Sequence, residues 1–278
     1  MTAAFSAPAT STPTRFSRFS WGVLGYALLV ILWGVYLRAS GSGDGCGVDW
    51  PSCIGSYTIR AGAQTKTFIE YAHRASIGVL ILLQLGQIIW GLRSFPRKHP
   101  VRFALGASLV FNLLEGWIGR QLVVHKLVAG STDPDRVYWF VGHQVNTLLL
   151  LGSFALIAWW SSGQPLPQFK KQGPFAFMAA FAIALFLGLT VTGAMSALGD
   201  TVDPPRNYLN SHEHVMRQAL LPTANAVMKS RPAHPYTAVV VAMFLCLVAG
   251  LFDHLRPSPM TRRFSYSVWL VLGLQMMI

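Results

Sequence analysis

Glu70-Tyr71-Ala72-His73-Arg74 places a carboxylate, an imidazole and a guanidinium within five residues, inside a long apolar run. Ionisable side chains are costly in a membrane helix and default there to a functional reading. Glu70 and His73 are three apart and Glu70 and Arg74 four apart, so a helix presents all three on one face. A histidine directed inward from such a helix is a candidate haem ligand, and a carboxylate one turn away is a candidate catalytic group. Two fates are open to Arg74. It can form an ion pair with Glu70 that neutralises both. It can instead pair with a haem propionate, because a guanidinium suits carboxylates, and leave Glu70 free to act.

His143 lies in another apolar run at a similar expected depth. Two histidines at matched depth on separate helices can clamp one haem iron axially. Without haem they would make interhelical hydrogen bonds. Glu70 and Arg74 beside one member of the pair favour haem. Glu115 is a second intramembrane carboxylate, and Gly116 and Gly119 beside it let a flat ligand or another helix come close. His234, followed by Pro235, opens a further apolar run and reads either as an interfacial cap or as a third haem ligand. His99, His125, His212, His214 and His254 read as solvated or interfacial residues of the links.

These groups need membrane helices to hold them. Hydrophobic residues are 53% of the 278 and charged residues 12%, where a soluble domain carries about 25% charged. A net charge of +12 would suggest nucleic acid in a soluble protein, but the basic residues lie in short links between apolar runs, which favours membrane orientation instead. Seven apolar segments are expected at 20–37, 68–92, 103–124, 137–161, 174–195, 236–252 and 264–278. A span takes about 20 residues; the first six reach or approach that, and the seventh does not. The chain stops inside the seventh run at Gln275-Met276-Met277-Ile278, which suggests a sequence cut short.

Cys46 and Cys53 flank Asp49-Trp50-Pro51 in the first long link. Thiols at that spacing around a turn can meet as a small-loop disulfide, which persists on the oxidising side of a membrane. A zinc pair is disfavoured, since its cysteines usually have about two to four intervening residues. The disulfide reading puts this loop outside and the N-terminus in the cytoplasm, in agreement with the dense basic charge of the short links 93–102, 162–173 and 253–263. Cys246 reads as core packing.

The chain also looks duplicated. Small-residue exits follow the first segment (Arg38-Ala39-Ser40-Gly41) and the fifth (Thr192-Gly193, then Gly199-Asp200), each leading into a long link. The expected fold is an all-α polytopic membrane protein of two pseudo-repeated four-helix halves, the second truncated, with seven spans present and the eighth missing. Residues 1–19 read as a disordered cytoplasmic tail and 20–161 as the N-terminal four-helix half with the substrate haem site. Residues 162–173 read as a cytoplasmic linker and 174–278 as the incomplete C-terminal half with a cofactor haem b site.

Taken together, these residues resemble the haem A synthase family, membrane enzymes that oxidise haem O to haem A for terminal oxidases. The resemblance rests on Glu70-x-x-His73-Arg74, on Cys46 and Cys53 around Asp-Trp-Pro, on His143, and on the Thr192-Gly193 to Gly199-Asp200 exit with His234-Pro235 beyond it. It implies His73 and His143 as iron ligands of the substrate haem O. It implies Glu70 as the carboxylate for oxidising the C8 methyl, through a hydroxymethyl, to a formyl group. It also implies that the cysteines form a disulfide or engage haem transiently, and that His234 and an eighth-span histidine hold haem b. The missing eighth span, and Glu115 where the family pattern has an amide, depart from it. Expected partners are membrane lipid, a haem O synthase that supplies substrate, and an electron acceptor; a homo-oligomer is compatible, nucleic acid is not expected, and the location is a bacterial plasma membrane. A b-type cytochrome for quinone-linked electron transfer and a haem carrier without chemistry are the rival readings, and neither gives a reason for Glu70.

Overall fold

The computed structural model describes residues 14–59, 61–128, 130–164, 172–202 and 211–277, and of 201, 202, 211 and 212 the backbone alone. Among them the regular elements are all α-helices, with an isolated bridge between Cys53 and Ser56. Among the described residues six helices are long and apolar enough to cross a membrane, which makes the chain a polytopic integral membrane protein. The chain divides into two units at 167/168.

The first unit holds α1 (Arg15–Ala39), α2 (Thr65–Ser94), α3 (Pro100–Val124) and α4 (Asp135–Ser161). Helix α1 packs on α2 and α4, and α3 packs on the same two, so α2 and α4 stand diagonally across a four-helix bundle. Phe16, Leu105, Phe154 and Ile157 fill the end of the bundle nearest the start of α1. In a bilayer the gain there comes from close packing rather than from leaving water. Gly91 makes this packing close, because Leu105 and Phe16 occupy the space where a β-carbon would stand.

Helix starts follow local capping. The Thr14 hydroxyl accepts from the Ser17 N–H at 3.1 Å, so α1 begins at Arg15 and the residues from 15 to 19, expected to belong to a disordered tail, are helical. Residues 1–13 of that tail lie outside the described residues. His99, expected to be solvated, caps α3: its Nδ1 accepts from the Val101 N–H at 3.2 Å and its ring lies 4.7 Å from that of Phe95. Pro100 follows at the first helical position, where its missing N–H costs nothing.

The second unit holds α5 (Pro174–Val202), α6 (Ser211–Leu220), α7 (Ala226–Ser230), α8 (Ala233–Leu255) and α9 (Pro259–Met277). Helix α8 packs on α5 and α9. The link expected over 196–235 instead contains the last turns of α5 and two helices. His214, expected in a solvated loop, lies on α6. Helices α7 and α8 are separated at Arg231-Pro232, where proline cannot donate to the ladder. The seventh apolar segment lies in α9, which carries Arg262 and Arg263 and is not among the six spanning candidates.

Candidate functional site

His73 and His143 both lie eight residues into their helices, α2 and α4, about 12 Å along the axis by helical rise. Both helices start at the end of the bundle that carries the disulfide loop, so the two imidazoles share a depth. Their helices stand diagonally across the bundle. Two glycines let the rings sit flush against neighbouring helices. A β-carbon on Gly34 of α1 would stand 3.0 Å from His73 Cε1 and 3.4 Å from Nε2. One on Gly119 of α3 would meet His143 Cε1 at 3.8 Å. The Nδ1 atoms of both histidines are buried and have no aligned hydrogen-bond partner.

Glu70 is 3% exposed and both its oxygens are engaged. Oε2 accepts from the Cys46 N–H at 2.8 Å, and Oε1 pairs with the Arg74 guanidinium. Arg74 also donates to the Asp49 carbonyl at 2.6 Å and the Ser52 carbonyl at 2.5 Å. The contact open to Arg74 as an ion pair is therefore the one present, and the pair hangs the loop on α2. Cys46 and Cys53 are joined by a disulfide, with Cα atoms 4.6 Å apart. Gly45 allows the loop to lie on the first turn of α2, since a β-carbon there would overlap the Lys66 carbonyl. The Thr67 hydroxyl ties the same turn to the Gly45 carbonyl at 2.7 Å.

Glu115 of α3 reaches His143. Its Oε1 lies 3.3 Å from Nδ1. Asn146 Nδ2 donates to Oε2 at 2.6 Å, and the Thr147 hydroxyl contacts Oε1. The sequence singled out Glu115 without a partner for it, and missed Gly34, Asn146 and Thr147. The small residue in Trp33-Gly34 and in Thr192-Gly193 was the signal available for Gly34.

His234, in the second unit, is the second residue of α8 and half-buried. Its Nδ1 lies 3.0 Å from the Thr192 hydroxyl. A β-carbon on Gly193 would meet its Cε1 at 3.0 Å and its Nε2 at 3.4 Å, the same distances as at Gly34 and His73. The histidine carbonyl accepts a hydroxyl three residues on in both units, from Ser76 at 2.7 Å and from Thr237 at 2.8 Å. An ion pair also stands one turn before each histidine: Glu70 with Arg74, and Arg231 with Asp200 at 2.5 Å.

A pair of half-buried imidazoles at matched depth on diagonal helices, with glycines beside them, suits the iron of a haem. Among the described residues no group of three or more histidine, cysteine or acidic side chains could hold a bare metal ion. The fold and the site define a polytopic helical membrane protein with a paired-histidine centre. Residues 17–278 match the model of the COX15-CtaA family, described as cytochrome oxidase assembly protein. The chain belongs to this family, whose relatives include haem A synthases.

Proteins from two strains of Thermus thermophilus, each named protoheme IX farnesyltransferase, are 38% identical over 270 residues, covering 95% of this chain. The match covers 43% of their length, so this chain spans less than half of these relatives. A haem A synthase of Exiguobacterium sibiricum is 34% identical over 110 residues, 40% of this chain and 37% of the relative. Another, of Halalkalibacterium halodurans, is 29% identical over 185 residues, 62% and 58% respectively. No solved structure matches.

Proposed function

We propose that this chain is the oxidoreductase of haem A synthesis, converting the C8 methyl of haem O to a formyl group through a hydroxymethyl intermediate. The observation that carries the reading is the His73–His143 pair at matched depth on diagonal helices, with Glu70 one turn away on α2. The names of the relatives give independent support, since farnesyl transfer to protohaem and haem A synthesis are both modifications of haem.

In this reading the N-terminal bundle orients the substrate, with His73 and His143 on its iron. Each stage removes two electrons and two protons at the C8 carbon, water supplies the oxygen, and an electron acceptor completes the balance. Glu70, fixed by the Cys46 N–H and Arg74, faces the positive charge that develops as electrons leave the methyl and accepts a proton as water adds. His234 would hold haem b in the second unit, and that group would supply one-electron transfer there. The Cys46–Cys53 loop lies outside and the N-terminus in the cytoplasm.

The test is mass analysis of haems extracted from membranes that contain the chain together with a haem O synthase. Haem A or its hydroxymethyl precursor is expected; haem O and haem B alone would overturn the oxidase reading and favour an electron-transfer or carrier role. The Thermus relatives' name motivates a second reading, farnesyl transfer. Membranes with this chain and no haem O synthase separate the two: haem O appearing there would assign the transferase. Glu70→Gln should stop oxidation while haem stays bound, and normal turnover by that variant would remove Glu70 from the chemistry.

A further inference from the structure

Glu115 has no part in the reaction above, yet three side chains of α4 converge on it. Its role has to come from its contacts. Oε2 is held by Asn146 Nδ2 at 2.6 Å, and Asn146 is itself fixed by a bond from the same nitrogen to the Phe111 carbonyl at 2.8 Å. The Thr147 hydroxyl proton is shared between Glu115 Oε1 and the His143 carbonyl, the latter at 2.8 Å. The remaining neighbour of Oε1 is His143 Nδ1, at 3.3 Å. The carboxylate is thus locked from two sides, with one oxygen presented to the imidazole.

We propose that Glu115 is a positioning residue for His143: its carboxylate takes the Nδ1 proton in a hydrogen bond, directs Nε2 to the haem iron and lowers the reduction potential of that iron. The inference rests on the haem reading of His143. Two physical steps lead to it. A ring with Nδ1–H bonded to a carboxylate has its tautomer fixed, and the lone pair available for a metal is then on Nε2. A carboxylate partner also makes the imidazole a stronger donor, and a stronger donor favours ferric over ferrous iron. Neither Nδ1 has an aligned bond, but the surroundings are asymmetric: a carboxylate oxygen stands 3.3 Å from His143 Nδ1, whereas Glu70 on the His73 helix is committed to Cys46 and Arg74. The two imidazoles are therefore chemically distinct, and the one beside Glu115 is the stronger donor to a metal.

The test uses the full chain isolated with its haem, titrated by absorbance under controlled potential, with the ferric form also examined by electron paramagnetic resonance. Glu115→Gln keeps the size and the acceptor while removing the charge. It should retain haem with a low-spin, two-imidazole spectrum, move the midpoint of that haem to more positive potential, and shift its low-spin g-values. Thr147→Val, which frees one side of the carboxylate, should move the midpoint in the same direction by less. An unchanged midpoint in both variants, with haem content preserved, would overturn the positioning role. His143→Ala checks the underlying reading separately. Loss of the low-spin spectrum supports His143 as a ligand, whereas an unaltered spectrum overturns the haem reading and the role of Glu115 with it.

Discussion

Gly34 gives the sharpest prediction at the scale of a single residue. A methyl group there would press on the His73 ring at 3.0 Å, tighter than ordinary contact, while one on Gly119 would meet His143 at 3.8 Å. The haem-to-protein ratio of purified Gly34→Ala should fall well below that of the unsubstituted chain, and that of Gly119→Ala should stay near it. Equal ratios for the two would show that the His73 ring has room to shift. The sequence made Glu70, His73 and Arg74 legible because they share one helix face, where spacing alone decides proximity. It could not show that Glu70 is tied to Cys46 or Glu115 to His143. Those contacts join residues 24 and 28 positions apart and depend on loop path and helix rotation. His99 was misread for a similar reason: a capping histidine and a solvated one look the same in a basic link.

At the scale of elements, the α1–α2 seam keeps one antiparallel register. Phe16 lies on Gly91 at one end and His73 on Gly34 at the other, with the same pairing offset, which sets Ser20 opposite Gln87 and Val23 opposite Gln84. Gln84 donates to the Ser108 hydroxyl at 3.2 Å and accepts from Asn112. Gln87 is fully buried, and among the described residues neither of its amide atoms has a hydrogen-bond partner, nor does the Ser20 hydroxyl. A buried polar group without a partner costs roughly 1–3 kcal/mol. Gln87→Met should therefore leave the thermal midpoint in detergent unchanged or raise it, whereas Gln84→Met, which strands Ser108 and Asn112, should lower it. A fall for Gln87→Met as large as that for Gln84→Met would mean that water satisfies the Gln87 amide. The α2–α3 turn carries a pH dependence. Burial holds the His99 imidazole below its ordinary value of 6.5, and its neutral Nδ1 is what accepts from Val101. This contribution is present in full above about pH 6.5 and is lost as pH falls through the lowered value. The protection of the Val101 amide, taken relative to its intrinsic exchange rate at each pH, should fall on acidification, and His99→Asn, which caps without titrating, should remove that response.

At the scale of the whole molecule, the disulfide loop and the candidate site share their fixings. Glu70 receives the Cys46 N–H, and Arg74 reaches the Asp49 and Ser52 carbonyls, so the loop closes the end of the bundle through the same side chains that flank His73. The helices themselves were legible from apolar runs, since a chain crossing a bilayer must satisfy its backbone within each segment. Helices α6 and α7 were not, because they are short and polar and carry no such constraint. Which face of the membrane holds the loop is a separate matter, argued from chemistry: a disulfide persists on the oxidising side, and dense basic charge in short links marks the cytoplasm. Both arguments support the proposed placement of Cys46 and Cys53 outside. Intact cells treated with a membrane-impermeant reductant and then an impermeant maleimide should add two labels to the chain, at Cys46 and Cys53, and none at Cys246 in α8. Cells not treated with reductant should add none. Two labels only after the membrane is permeabilised would place the loop in the cytoplasm and reverse the orientation proposed for every span. The Glu70–Arg74 pair adds a further expectation. Arg74→Lys keeps the charge beside Glu70, but a single ammonium cannot replace the planar fork that spans Glu70 and two loop carbonyls. The loop should then loosen and the disulfide should yield to impermeant reductant faster in that variant. Unchanged kinetics would mean that the Cys46–Glu70 bond alone holds the loop in place.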